Sequence, residues 1–474
     1  MPSLEKPPTI KIIDLPKRKG QVIADTDVLI VGGGPAGLGA ALGAAEAGAR
    51  VILTERYGFL GGNATAALVM PLMSFHTQQT LPEAEGTVTL LPTDHGKGSP
   101  VIGGALSKLL TKLVMAGGAI SPSIKTGYVV PFDPEIFKIV ALDLLDEAGV
   151  RFLFHAFASD VIGGPKAEGV IFETKSGPLV IKAKCIVDCT GDGDIAARAG
   201  AHYDIGRDDD GLVQPMTLMF RLIEFHKNEF EKYVKEKPDQ WRGVHGLWDL
   251  VKKASQNGEL NLAREDILFF GTPHEEEISV NSTRITKTLG VDVWDLSYAE
   301  WEGRRQMKQI AAFLKKYVPG FESSYVAQSG VTVGIRETRR IIGEYVLTAE
   351  DILNAKKFDD AIARGSYPID VHNPAGKGTI LKKLPPGEAY DIPLRCLLPK
   401  GVNNIVMAGR CISGTHEAHS SYRVMPISMA TGQAAGVCAA IAAEKNISPK
   451  RVPYKDVQQE LLRQGANLLP VNKN

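Results

Sequence analysis

Residues 27–56 read DVLIVGGGPAGLGAALGAAEAGARVILTER, and physical chemistry leaves such a stretch few ways to fold. Val28, Leu29, Ile30 and Val31 form a short continuous apolar run, as expected of a parallel strand buried on both faces. Gly32, Gly34 and Gly37 follow at G-x-G-x-x-G spacing, with Pro35 at the first helical position, where its missing N–H is not needed. Small residues (Gly39, Ala40, Ala41, Gly43, Ala44) then let a helix lie close to a sheet. Gly48 ends that helix, Val51, Ile52 and Leu53 make a second apolar strand, and Glu55 closes it. A carboxylate about 20 residues beyond the glycines is where a dinucleotide-binding unit accepts hydrogen bonds from a ribose 2′-OH. A glycine-rich turn that only packs a helix would leave the position of Glu55 to coincidence.

The rest of the chain sets the scale. Its 474 residues suffice for two or three domains at roughly 100–200 residues each. Lys and Arg total 54 against 54 Asp and Glu, which gives no electrostatic reason for a nucleic-acid or anionic-membrane partner. No uninterrupted apolar run approaches the ~18 residues of a membrane span. The first residues, MPSLEKPPTIKIIDLPKRKG, carry charges and prolines where a signal peptide needs an apolar core, so a cytoplasmic protein is expected. Cys185, Cys189, Cys396, Cys411 and Cys438 are scattered without a C-x-x-C pair. They read as buried structural thiols and weigh against a dithiol reductase or a zinc or iron–sulfur site.

Along the chain, residues 1–24 read as a polar arm and residues 76–105 as a Thr/Pro/Gly-rich surface loop. The glycine pair Gly61-Gly62, with Asn63 and Thr65, is either a ligand-facing loop or a plain loop-to-helix turn. Residues 106–115 form a short helix, and Asp133-Pro134 starts a clear one stopped by Gly149. A strand over 151–155 and hairpins over 161–183 follow, with turns at Gly163-Gly164-Pro165, Gly169 and Gly177. A further strand over 186–189 runs into Thr190-Gly191-Asp192-Gly193-Asp194, at a sheet edge where open α/β folds bind ligands.

From residue 206 the texture changes to charged amphipathic stretches that carry Trp241, Trp248, Trp294 and Trp301. The arginine-rich stretch 330–348, if a strand, places Arg336, Thr338 and Arg340 on one face. Ile405, Val406, Met407 and Ala408 read as a central strand ended by Gly409-Arg410, and residues 427–444 as a small-residue helix. No second dinucleotide unit occurs, so a separate nicotinamide domain is not expected.

Four blocks in this order, VGGGPAG…TER, DCTGDGDIAARAGA, GIRETRRIIGEYVLT and NNIVMAGRCISGTHEAHSSYRV…ATGQAAG, resemble an FAD-dependent oxidoreductase. The likeness extends to the two-part architecture of succinate dehydrogenase and fumarate reductase flavoproteins. It implies an α/β fold: a Rossmann-like FAD-binding domain with a central parallel sheet, discontinuous in sequence, and an inserted mixed α+β substrate or cap domain. The expected division is an arm (1–24), the first FAD part (25–205), the cap (206–390), the second FAD part (391–447) and a C-terminal segment (448–474).

The resemblance also assigns cofactor roles. Gly32, Gly34 and Gly37, with Pro35 and Ala36, would face the pyrophosphate, and Glu55 and Arg56 the adenosine ribose. Gly61, Gly62, Asn63 and Thr65 would line the flavin side, and Ala158 would meet the adenine. Thr190, Gly191 and Asp192 would touch diphosphate or ribose, Gly409 and Arg410 the ribityl chain, and the Gly432 helix would point at the flavin's pyrimidine edge. Because Asn63 replaces the histidine that often attaches FAD covalently, the FAD is expected to be non-covalent.

The expected reaction moves a hydride between FAD and a small organic substrate at a CH–OH or CH–CH centre, with an unspecified electron acceptor. Alternatives are a double-bond reductase fed by a partner protein, and an electron-transfer subunit without its own substrate. His416, His419 and His372 are the candidate bases, each equally readable as structural, and Arg336 is the candidate substrate contact. Arg284, Arg340 and Arg423 are further candidates for holding a carboxylate or phosphate. Homo-oligomerisation is left open.

Overall fold

The computed structural model describes residues 6, 11–79, 86, 88–92, 96–376 and 378–468; parts of the expected arm, the 76–105 loop and the C-terminal segment lie outside them. Its first sheet contains β1 (Gln21–Val31), β2 (Val51–Thr54), β3 (Arg151–Leu153), β4 (Phe157–Ile162), β5 (Gly169–Thr174) and β6 (Gly177–Asp188), in the order β3-β2-β1-β6-β5-β4. A closing strand, Ile405–Met407, also pairs with β6. β3, β2, β1, β6 and the closing strand run parallel, and the β5 and β4 meander is antiparallel.

Register decides where the loops emerge. Val31 pairs with Thr54 on one side and Asp188 on the other, and Asp188 also pairs with Met407. The carboxyl ends of four strands therefore align, and the loops at Gly32, Glu55, Thr190 and Gly409 meet at one sheet edge.

Several sequence expectations change here. The arm does not reach residue 24, because β1 already begins at Gln21. The strand expected over 186–189 is the end of a single 12-residue β6. One edge of β6 follows β1 throughout, while its other edge serves β5 first and the closing strand afterwards. Gly169 begins β5 and is not a turn residue. Within the 76–105 stretch His76, Thr77, Val101 and Ile102 are buried, so it is not wholly a surface loop. Residues 330–348 are mostly irregular, with a strand only at Arg339–Ile341.

The helices follow their local signals. α1 (Pro35–Glu46) has Pro at its start, and α2 is Ala105–Met115. α3 (Pro134–Glu147) is capped by Asp133, whose carboxylate accepts from the N–H groups of Glu135 and Ile136. The closing helix, Met425–Lys445, is long and apolar enough to cross a membrane, yet 94% of its apolar window is buried within the protein. It lies directly on α1, and glycines make the contact. A Cβ on Gly432 would stand 2.0 Å from the Ala36 carbonyl oxygen, and one on Gly436 2.0 Å from that of Ala40. Reciprocally, a Cβ on Gly39 would stand 2.1 Å from the Met429 oxygen.

A second, six-stranded antiparallel sheet is built from Phe220–Ile223, Trp241–Arg242, His245–Gly246, Ile267–Gly271, Glu277–Val280 and Tyr325–Ser329. An aromatic cluster fills its own core, with Trp241 and Phe269 ring centroids 4.6 Å apart and Phe225 and Phe321 4.7 Å apart. Packing draws the inserted unit more narrowly than the expected 206–390, because Ile341, Leu347, Ile362 and Tyr390 join the first core. All five cysteines are buried and free.

Gly436→Ala should lower stability by about 1–3 kcal/mol, the usual cost of forcing atoms into a filled core. Urea denaturation would measure it, and an unchanged midpoint would refute the backbone contact.

Candidate functional site

A glycine-floored cleft opens at the shared sheet edge. The start of α1 forms part of its wall, with no side-chain cap and no acidic residue in its first turn. Its free N–H groups and dipole suit an anion. Gly34, Pro35 and Ala36 line the cleft there, and Gly62 sits so close that a Cβ on it would be 2.8 Å from the Gly34 Cα. Glu55 is buried and accepts from the N–H groups of Gly33 (2.7 Å) and Tyr57 (3.0 Å). Each oxygen keeps a lone pair for a ribose hydroxyl. The closing helix also starts uncapped, with Met425 and Ser428 in the wall.

Asp188 holds the third side. It is fully buried and accepts from Thr190 N–H (3.1 Å), Thr190 Oγ1–H (2.7 Å), Ile195 N–H (3.0 Å) and Ala196 N–H (2.9 Å). Burial pushes its carboxyl up to about 6, opposed by the bonds from Ala196 and Thr190. The knot fixes Thr190, Gly191 and Asp192 in the cleft wall. Asp192 then accepts from Thr338 Oγ1 (2.7 Å) and Arg410 Nη2 (3.0 Å), while Arg410 Nη1 is buried without a partner among the described residues. An uncapped helix start, a glycine floor, a ribose-height carboxylate and an unpaired guanidinium nitrogen together fit a dinucleotide carrying a pyrophosphate.

Of the expected cofactor contacts, Gly32, Gly34, Pro35, Ala36, Glu55 and Arg56 line the cleft. So do Gly62, Asn63, Ala158, Thr190, Gly191, Asp192, Gly409 and Arg410. Four do not. A Cβ on Gly37 would meet the Gly32 oxygen at 1.9 Å, so that glycine serves the turn. Gly432 serves the contact with α1, and a Cβ on Gly61 would strike the Thr65 side chain at 2.5 Å. Thr65 spends its hydroxyl on the Leu60 carbonyl (2.7 Å).

A second chamber of about 620 Å³ adjoins the cleft, and Asn63, Ile335, Arg410, Arg423 and Met425 line both. His372 and Arg336 are in the chamber wall, as are Arg284 and Arg423. His372 Nδ1 lies 3.1 Å from Arg284 Nη2, and since arginine only donates, Nδ1 accepts. The ring proton is then on Nε2, 3.4 Å from Asp370 Oδ2. Burial, partly opposed by Asp370, pushes His372 down to about 4, so the ring is neutral near pH 7. Although burial opposes ionisation, His372 and Arg423 hold Asp370 far below the usual carboxylate range, and Tyr367 donates to it at 2.8 Å.

Three expected site residues lie elsewhere. His419 is fully buried against Tyr422, with neither ring nitrogen hydrogen-bonded among the described residues. His416 Nδ1 is 2.8 Å from Glu337 Oε1, in a buried cluster where Arg340 also pairs with Glu337 and donates to the Gly414 and Gly206 carbonyls. Glu337 and Arg340 form an internal ion pair there, and the cluster lines neither cavity. Arg336, Thr338 and Arg340 thus point to three different places, because only Arg340 of the three lies in a strand.

Sequence reasoning missed His245, Arg264 and Asp266 in the chamber wall. Against the cost of burial, His245 and Arg264 pull Asp266 down to about 2. None belongs to a recognisable motif. Asp370 and Tyr367 were nearer to detection, since they stand in the YPIDVH block that contains His372.

The protein-family model described as FAD dependent oxidoreductase matches residues 27–461. No curated protein matches the chain. Among solved structures, a geranylgeranyl bacteriochlorophyll reductase-like protein from Thermoplasma acidophilum is 13% identical, covering 94% of this chain and 84% of its own, at a TM-score of 0.44. The p-nitrophenol 4-monooxygenase PnpA from Pseudomonas putida DLL-E4 is 10% identical over 93% and 85%, at 0.45. The flavin-dependent brominase Bmp2 is 12% identical over 93% and 84%, at 0.43.

Asp188→Asn turns an N–H donor toward donors in the knot. It should weaken cofactor binding by about 1.5–3 kcal/mol, roughly ten- to a hundredfold. Equilibrium dialysis would measure this, and unaltered affinity would show that the knot does not shape the cleft.

Proposed function

Because the chain belongs to the FAD-dependent oxidoreductase family, and its cofactor is therefore FAD, we propose that it is a dehydrogenase or oxidase that oxidises a small organic molecule at a CH–OH centre. The observation that carries this reading is the wall shared by cleft and chamber, formed by Asn63, Ile335, Arg410, Arg423 and Met425. A redox ring held at that wall would face a chamber large enough for a substrate. A subunit that only relays electrons would have no use for such a chamber.

FAD, when bound, supplies a two-electron hydride acceptor, and the protein supplies position and proton handling. The cleft residues Glu55, Gly62, Thr190 and Arg410 would hold it, without covalent attachment at Asn63. His372 takes the hydroxyl proton at Nδ1, while Asp370 fixes its tautomer and stabilises the imidazolium that forms. Arg284 occupies Nδ1 in the free chamber, so a substrate that draws the guanidinium toward itself also frees that lone pair. Arg336 donates to Pro215 O (2.7 Å) and Thr217 Oγ1 (2.6 Å), which fixes its guanidinium at the chamber wall. Kinship with succinate dehydrogenase and fumarate reductase flavoproteins belongs to this proposal and rests on the order of the four blocks. The five free thiols suit a reducing, cytoplasmic setting, which is also part of it.

Anaerobic mixing with a panel of hydroxy compounds should bleach the flavin band. In His372→Asn the single-turnover rate should fall by roughly 10²–10⁴-fold, with FAD content unchanged; an unchanged rate would remove His372 from the mechanism. The sign of the pH dependence follows from a lowered histidine value. His372 stays neutral across the neutral range and gains its proton only as pH falls toward about 4, so the wild-type rate should be flat near neutrality and drop in that acid range. A break at the ordinary histidine value would contradict the assignment.

A further inference from the structure

Among the described residues, two arginines in the chamber have no acidic partner. Arg284 is buried and donates to the Gly376 and Gly378 carbonyls (3.1 and 3.2 Å) and to His372. Arg336 donates to the Pro215 carbonyl and the Thr217 hydroxyl. Neither has a carboxylate within ion-pairing distance among the described residues, whereas Arg264 pairs with Asp266 and Arg410 with Asp192. Burial, with repulsion from Arg423 and Arg284, brings Arg336 down to about 9. Burial and Arg264 bring Arg284 down to about 10. Both guanidiniums are held charged at a cost that an incoming anion would relieve.

These two residues line the chamber and not the dinucleotide cleft. The cofactor's phosphates are therefore not the anion they await. A different part of the chamber wall is apolar. Met219, Val244 and Phe270 belong to a small separate hydrophobic cluster, with Val69 and Leu268 packed on it, and all five face the cavity. An arginine pair and a contiguous apolar patch in one cavity call for a molecule with a charged head and an oily body.

We propose that the chamber selects an apolar-bodied organic acid, its carboxylate gripped by Arg336 and Arg284 and its carbon skeleton laid on the Met219–Val244–Phe270 patch. Arginine's planar fork matches a carboxylate in two parallel hydrogen bonds, which gives orientation as well as attraction. The patch sets the preference between acids, because a short diacid would leave a second carboxylate against hydrocarbon. This inference rests on the reading of the chamber as the substrate site.

Calorimetric titration of the FAD-loaded protein with hexanoate, hexanamide and succinate tests it. Hexanoate should bind about tenfold or more tightly than either of the others, and Arg336→Gln should abolish that advantage. Arg336→Lys, which keeps the charge and loses the fork, should recover only part of it. The flavin absorbance per chain reports that each variant is folded and loaded. Equal binding of hexanamide, tighter binding of succinate, or an unaltered preference in Arg336→Gln would overturn the proposal. Calorimetry reads binding whether or not an acid is oxidised, so failure of the dehydrogenase reading would show separately, as hexanoate binding intact with no hydroxy acid bleaching the flavin.

Discussion

The contact between α1 and the closing helix is the constraint on which the rest depends. Two helices from opposite parts of the sequence touch backbone to backbone, Gly39 on Met429 and Gly432 on Ala36, because glycine occupies each crossing point. Their starts, at Pro35 and Met425, consequently both stand in the wall of one cleft. Each leaves its first N–H groups without a side-chain cap, so each start is a site of positive potential. Gln433 extends the junction by accepting from the Ala105 N–H (3.0 Å), which ties α2 to the same helix. The cofactor site is thus assembled from both ends of the chain and is as stable as this seam.

Electrostatics divides the molecule in a way its balanced composition conceals. Two internal carboxylates that hold the fold each gather several bonds: Glu337 with Arg340 and His416, Asp188 with four donors. Among the arginines that line the chamber, Arg264, Arg410 and Arg423 have carboxylate partners, whereas Arg284 and Arg336 rest on neutral groups alone. The contrast separates structural ion pairs from binding groups within a single motif. In ETRR, Glu337 and Arg340 stitch the core, Thr338 and Arg339 buttress the Asp192–Asp194 turn, and the preceding Arg336 faces the cavity.

Legibility in the sequence followed locality. The βαβ unit, the Asp133-Pro134 helix start and the closing strand each rest on signals within a few residues, and all were readable. β6 reads in sequence as separate pieces because its continuity comes from β1 running along its whole edge, a long-range fact. Glycines that floor the cleft and glycines that let helices touch look alike in sequence; Gly62 and Gly432 differ only in what a Cβ would meet. The polar density around His416 and His419 suggested catalysis, but packing turned both inward, to Glu337 and Tyr422. His245 and Asp266 reach the chamber from the inserted sheet, and no spacing rule could have placed them there.

The central claim is that the flavin ring sits where cleft and chamber share a wall. A crystal structure of the FAD-loaded protein tests it most directly. The account predicts the ring edge against Asn63, Arg423 and Met425, open to the chamber, with the adenine end near Ala158. A ring sealed from the chamber, or an FAD lying outside the glycine-floored cleft, would contradict it.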